Sequence, residues 1–139
     1  MEKLELYRRI IQRILASVAA IPYSSPVIVH EAVFDTVNDR YLVMSVGWKE
    51  PTYRLHFCLV HVDIQDGKIW IQRDGTEDRI AYDLEDAGIS KSDIVLAFHS
   101  ESVRPYTGYA VVRMLPALLP LCGFAFLAGF IDSMVGGAG

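Results

Sequence analysis

The sequence predicts an α+β domain: an N-terminal helix, a four- to five-stranded antiparallel meander and a second helix on the same face of the sheet. Three observations carry this. Apolar residues recur at helical spacing over residues 3–20, the period falls to two from Val27 to Arg73, and a run bounded by cap and stop residues follows from Glu77 to Ala87.

In the first helix Leu4, Tyr7, Ile11, Ile14 and Val18 recur at three- and four-residue steps. Leu6, Ile10 and Leu15 widen the stripe, while Glu5, Arg8, Arg9, Gln12 and Arg13 lie mostly opposite. One face is built to be covered, and the arginines read as its solvated side. Pro22 and the linker Tyr23-Ser24-Ser25-Pro26 end the helix, because each proline lacks a donor and restricts the residue before it.

Val27 to Asp35 and Arg40 to Trp48 are extended runs separated by turn chemistry at Thr36 to Asp39, which makes a hairpin. Glu50-Pro51-Thr52 turns the chain into a long strand from Tyr53 to Gln65. Strict alternation along it puts Leu55, Phe57 and Leu59 on one face and Cys58, Val60, Val62 and Ile64 on the other. Asp66-Gly67 supplies the positive φ angles of a tight hairpin, returning Lys68 to Arg73. Connections this short force antiparallel pairing, since a parallel pair needs a crossover of roughly a dozen residues.

Thr76 is the expected N-cap of the second helix, with Glu77 and Asp78 favoured by the dipole in its first turn and Gly88 as the stop. Ser90-Lys91-Ser92-Asp93 has the form of a capped single turn. Ile94 to Phe98 reads as a fifth strand or buried extended piece, and Ser100 to Tyr109 as a polar closing segment.

The run DGKIWIQRDGTEDRIAYDLEDAG from Asp66, continued by ISKSDIVLAFHS from Ile89 and RPYTGYAV from Arg104, resembles the XisI family. The likeness extends back through Val46-Gly47-Trp48 to the first helix, over about residues 3–112. It implies a controlling factor for excision of the fdxN DNA element in cyanobacteria, associated with an XisH-like protein of nuclease-like fold. The strand-cutting recombinase is a third protein. The resemblance assigns no catalytic residues.

Composition agrees with a protein that binds protein. Hydrophobic content of 52% with 22% charge describes a folded chain, and its net charge is −4. Residues 113–139 hold one Arg and one Asp, Arg113 and Asp132, so the first 112 residues also carry −4. Affinity for nucleic acid comes largely from neutralising phosphates, and neither a basic excess nor a basic stripe is present, which argues against direct DNA binding. Cys58 and Cys122 form no metal-ligand spacing and fit a reducing cytoplasm. The charged N-terminus lacks the apolar core of a signal peptide.

Few residues point to chemistry. Asp63, Asp66, Asp74, Glu77 and Asp78 cluster in sequence as a Mg²⁺ site would require, but turn and cap roles explain most of them. His61 and Asp63, the best candidate pair, share a sheet face and have no nucleophile nearby in sequence. No P-loop, dinucleotide glycine pattern or nucleophile elbow occurs, so the expectation is a non-enzyme without a cofactor. The interface candidates are Trp48, Tyr53, Trp70, Arg104, Tyr106 and Tyr109, because aromatic residues with a polar tip and arginines anchor protein contacts. A sheet roofed on one side leaves a face, holding Leu55, Phe57 and Leu59 or their counterparts on the other side of the strand, for an XisH-like partner or a second copy.

Met114 to Ile131 carries no charge, which places residues 113–139 apart from the 1–112 domain. The length is at the lower limit for crossing a bilayer, and the closing LAGFIDSMVGGAG is similar to the first helix of TauE/SafE-type permeases. Three readings stand for this extension: a fusion junction, a membrane anchor that would make the chain a tethered adaptor, or a cover for the open sheet face. A nuclease accessory using Asp63, Asp74 and Glu77 is the remaining alternative.

Overall fold

The computed structural model describes residues 2–22, 27–77 and 79–112. The linker Tyr23-Ser24-Ser25-Pro26, Asp78 and the extension 113–139, with the anchor and junction readings placed on it, lie outside them. Helix α1 (Glu2–Ala19) leads into strands β1 (Ile28–Asp35), β2 (Arg40–Glu50), β3 (Tyr53–Gln65) and β4 (Lys68–Asp74); helix α2 (Arg79–Asp86) and strand β5 (Ile94–Leu96) follow. The sheet order is β1-β2-β3-β4-β5.

The first four strands form the expected antiparallel meander, and β5 departs from it by pairing parallel to β4, Ile69 with Ile94 and Ile71 with Leu96. Residues 75–93 contain α2, a crossover long enough to bring the chain back to the same end of the sheet. The sheet is therefore mixed.

Both helices pack on one face. Tyr7, Ile10, Ile11, Ile14, Leu15 and Val18 of α1 and Ile80, Ala81 and Leu84 of α2 enclose a core with Tyr41, Val43, Val60, Val62, Ile69, Ile71 and Ile94. Each buried side chain of this size stabilises by roughly 1.5–3 kcal/mol, so a charge at Ile11 would remove a large share of a domain's net stability. Leu6, assigned to the stripe by its spacing, is instead exposed at its margin.

Arg8 is not on the solvated side of α1. It grips Asp39 in the β1–β2 turn through Nε at 2.8 Å and Nη2 at 3.1 Å, and the hydroxyl of Tyr41 donates to the same carboxylate at 2.7 Å. The guanidinium, with the Tyr41 hydrogen bond, holds the Asp39 carboxyl below the usual range. Tyr7 donates to Asp93, which Lys3 also approaches at 3.0 Å. These two clasps fix α1 against both ends of the chain's topology.

The start of α2 differs from the sequence expectation. Asp74, not Thr76, is the capping side chain: its Oδ2 accepts from the Ile80 amide at 3.2 Å and its Oδ1 from the Thr76 amide at 2.7 Å. Glu77 stands outside the first turn at φ 63°. The other end behaves as expected, with Gly88 at φ 98°, its amide donating to the Glu85 carbonyl and the Ile89 amide to that of Leu84. Ser90 caps the turn Lys91–Asp93 by accepting from the Ser92 amide.

Candidate interaction face

A register shift decides which side chains reach the uncovered face. Val43 pairs with Val60 but Met44 pairs with Cys58, so β3 carries Leu59 as an extra residue. Below this bulge the alternation inverts. Leu55 and Phe57 fall on the helix side with Val60, Val62 and Ile64, contrary to the strict alternation expected, and Leu59 packs against the core. Among the described residues the open face over β1–β3 instead holds Val29, Val33, Leu42, Met44, Val46 and Trp48, by their pairing register. Val29 is 49% exposed, Val33 48% and Trp48 43%.

A second part of the same face is closed by the chain itself. Trp70 pairs with Asp63 on one side and Val95 on the other. The Arg104 guanidinium lies 5.8 Å from the centre of the Trp70 ring, held there by carbonyls of His99 at 2.9 Å, Ala97 at 3.2 Å and Val112 at 3.2 Å. The indole N–H donates to the Gln65 carbonyl at 3.1 Å. Val95 is fully buried although it faces away from the helices. The described part of the segment after β5 thus covers β4 and β5, and among the described residues β1 to β3 stay open.

At the border sits Asp63, only 4% exposed. His61 Nε2 lies 2.8 Å from its Oδ1, Gln72 Nε2 3.2 Å from its Oδ2, Gln65 Nε2 at 3.4 Å and Arg40 Nε at 3.6 Å. A buried carboxylate needs such donors to offset lost hydration. Nearby, burial pushes the Cys58 thiol up, and its Sγ donates to the Val60 carbonyl at 3.2 Å. Asp63 and Asp74 do not converge. Asp74 pairs with Val60 on the helix side and Asp63 lies on the open side, so these two carboxylates do not share a face; Asp78 of the same acidic cluster lies outside the described residues. No group of three or more metal-capable side chains occurs among the described residues.

The six interface candidates separate into three places. Trp48 and Tyr53 stand at the far end of the β2–β3 hairpin, with Arg54 stacked 5.1 Å over the Trp48 ring. Trp70 and Arg104 meet each other. Tyr109 is partly buried against the core and donates to Glu85, whereas Tyr106 is 87% exposed on the closing segment. Val29, Val33, Leu42, Met44 and Val46 were missed as face residues, and their alternation along β1 and β2 is the signal that carries them.

The model of the XisI protein family matches residues 1–111. The chain belongs to the XisI family. Among solved structures it is similar to an XisI-like protein from Anabaena variabilis, at 33% identity and a TM-score of 0.72, covering 78% of this chain and 99% of that one. It is likewise similar to the fdxN element excision controlling factor XisI of Anabaena variabilis, at 34% identity and a TM-score of 0.70, covering 79% and 99%. A search of the curated proteins found no match. The α+β fold is thus that of the XisI family. No helix among the described residues is long and apolar enough to cross a membrane.

Proposed function

We propose that this chain is a non-enzymatic controlling factor for excision of a DNA element, acting by docking another protein, of the XisH-like kind, through the β1–β3 part of its open face. The observation that carries the reading is the apolar surface of Val29, Val33, Leu42, Met44, Val46 and Trp48 on an otherwise well-covered sheet. The same register sets Glu31, His56 and His61 among these residues, so the face is apolar with polar groups interspersed, a composition that suits a protein contact. Family membership and likeness to the Anabaena variabilis excision controlling factor support the process; the acidic net charge supports a protein partner. Self-association through the same face belongs to the proposal, because the described residues leave that surface uncovered.

The test is co-expression with a neighbouring XisH-like protein, purification through a tag on one partner and mass measurement of the complex. A stable complex that is lost in Val33→Asp and Met44→Asp, both surface changes, is the expected result. A complex indifferent to both, or none with a folded parent chain, would overturn the reading.

A further inference from the structure

Strand β3 is longer than the strand beside it. It pairs with β4 only from Val60 to Gln65, while β2 follows it down to Tyr53. From Tyr53 to Phe57 the strand has, among the described residues, a paired neighbour on one side alone. The last bonds on the β4 side are the Arg73 Nε to the Cys58 carbonyl at 2.7 Å and the Gly75 amide to the Leu59 carbonyl at 2.8 Å. Gly75 then steers β4 away into α2; a Cβ there would stand 2.9 Å from the Leu59 carbonyl oxygen. Among the described residues no strand continues the line of β4 beyond Gly75.

An unpaired edge presents donors and acceptors that pair readily with another chain, and proteins blunt such edges with proline, lysine, bulges or a covering element. Within Tyr53 to Phe57 there is no proline and no lysine, and Arg54, His56 and Tyr53 are exposed. The side chains alternate: Leu55 and Phe57 lie toward the helices, Arg54 and His56 toward the open face. Arg54 and Arg73 flank the edge, and among the described residues neither has a carboxylate partner; Arg54 stacks on Trp48 and Arg73 binds a carbonyl. Two uncompensated guanidinium groups beside a free edge are notable in a chain of net charge −4.

We infer that the edge from Tyr53 to Phe57 accepts an extended segment of a partner protein as an added strand, with apolar residues set against Leu55 and Phe57 and acidic residues on the alternate positions against Arg54 and Arg73. Main-chain hydrogen bonds give such complexes their affinity and the alternating side chains their specificity. The inference rests on the docking reading above and gives its partner a chemistry.

The probe is an end-capped peptide of about six residues alternating valine and glutamate, a usual strand length. It is compared with a valine–lysine peptide and with a valine–glutamate peptide whose alternate amides are N-methylated. Fluorescence anisotropy and hydrogen exchange are read on the full chain. The acidic peptide protects amides within Tyr53 to Phe57, the lysine peptide binds roughly tenfold more weakly, and N-methylation abolishes binding. Arg54→Glu with Arg73→Glu inverts the preference between the two charged peptides. The peptide comparison itself needs no altered protein, so a misfolded variant does not rescue the idea. Protection elsewhere, indifference to peptide charge, or protection of Tyr53 to Phe57 that rises with the concentration of the chain alone, making a second copy the occupant, would refute it. Loss of the co-purified complex with peptide binding intact would count against the proposed function and leave the edge standing.

Discussion

Replacing Asp63 by alanine removes the acceptor at the border of the open face, and the loss can be worked from its contacts. The His61 contact at 2.8 Å and the Gln72 contact at 3.2 Å are true hydrogen bonds to a carboxylate, while Gln65 at 3.4 Å and Arg40 at 3.6 Å are weaker. Hydrogen bonds to a charged group contribute about 1.5–3 kcal/mol each. Arg40 is half exposed and His61 a third exposed, so both recover water when Asp63 is gone, which discounts the total. A net loss of roughly 2–4 kcal/mol follows. For a domain of about 100 residues that lowers Tm by on the order of 10–25 °C. The assay is urea unfolding at neutral pH followed by Trp70 emission in a Trp48→Phe background, since Trp70 is the cross-strand partner of Asp63. Asp63→Asn, which keeps the shape but turns an amide toward existing donors, loses most of the same stability. An alanine variant within about 1 kcal/mol of the parent would show that burying this carboxylate costs as much as its bonds return, and the argument would fail.

Three further outcomes are expected. Gly47→Ala places a Cβ 2.1 Å from the Val27 carbonyl oxygen and 2.6 Å from the Ile28 Cα, both backbone atoms, so chemical denaturation should show a loss of about 3 kcal/mol or more, or no folded protein. Arg104→Ala removes the guanidinium over Trp70 and its three carbonyl contacts; stability falls by about 2 kcal/mol and Trp70 emission shifts to the red in the Trp48→Phe background. Burial, with the hydrogen bond to Asp93, pushes the Tyr7 hydroxyl up to about 12 from its ordinary 10.0. The folded chain keeps a proton that the unfolded chain releases, so stability declines as pH rises from 10 through about 12, and Tyr7→Phe makes that decline shallower in alkaline unfolding curves.

Much of the architecture was legible because it rests on local pattern. The apolar spacing of α1, the Asp66-Gly67 hairpin with both residues at positive φ, and the Gly88 stop all appear where short-range chemistry puts them. The cap of α2 was misplaced because Thr76 and Asp74 are equally suited by type; only the end of β4 on the helix side aims Asp74 at the Ile80 amide. The parallel entry of β5 follows from the same crossover-length rule that makes the first four strands antiparallel, once α2 occupies the connection. For the interaction candidates, the aromatic residue type did not tell exposed from covered: Trp48, for which core packing was the readier expectation, and Tyr53 stand exposed, while Trp70 and Arg104 satisfy each other across residues far apart in sequence.

What this chain's residue order determines unaided is the set of elements and their apolar stripes, because helix and strand periods, glycine turns and prolines act between residues a few positions apart. Membership of an XisI-like α+β fold was equally present in its motifs. Which side chains look outward was decided in three dimensions. One extra residue at Leu59 inverts the alternation of β3, the early exit of β4 at Gly75 strips a neighbour from Tyr53 to Phe57, and the return of Arg104 onto Trp70 closes one part of a face and leaves the rest open. A bulge, a shortened strand and a long-range stacking contact depend on partners that meet only after the sheet has assembled, so no window of sequence contains them.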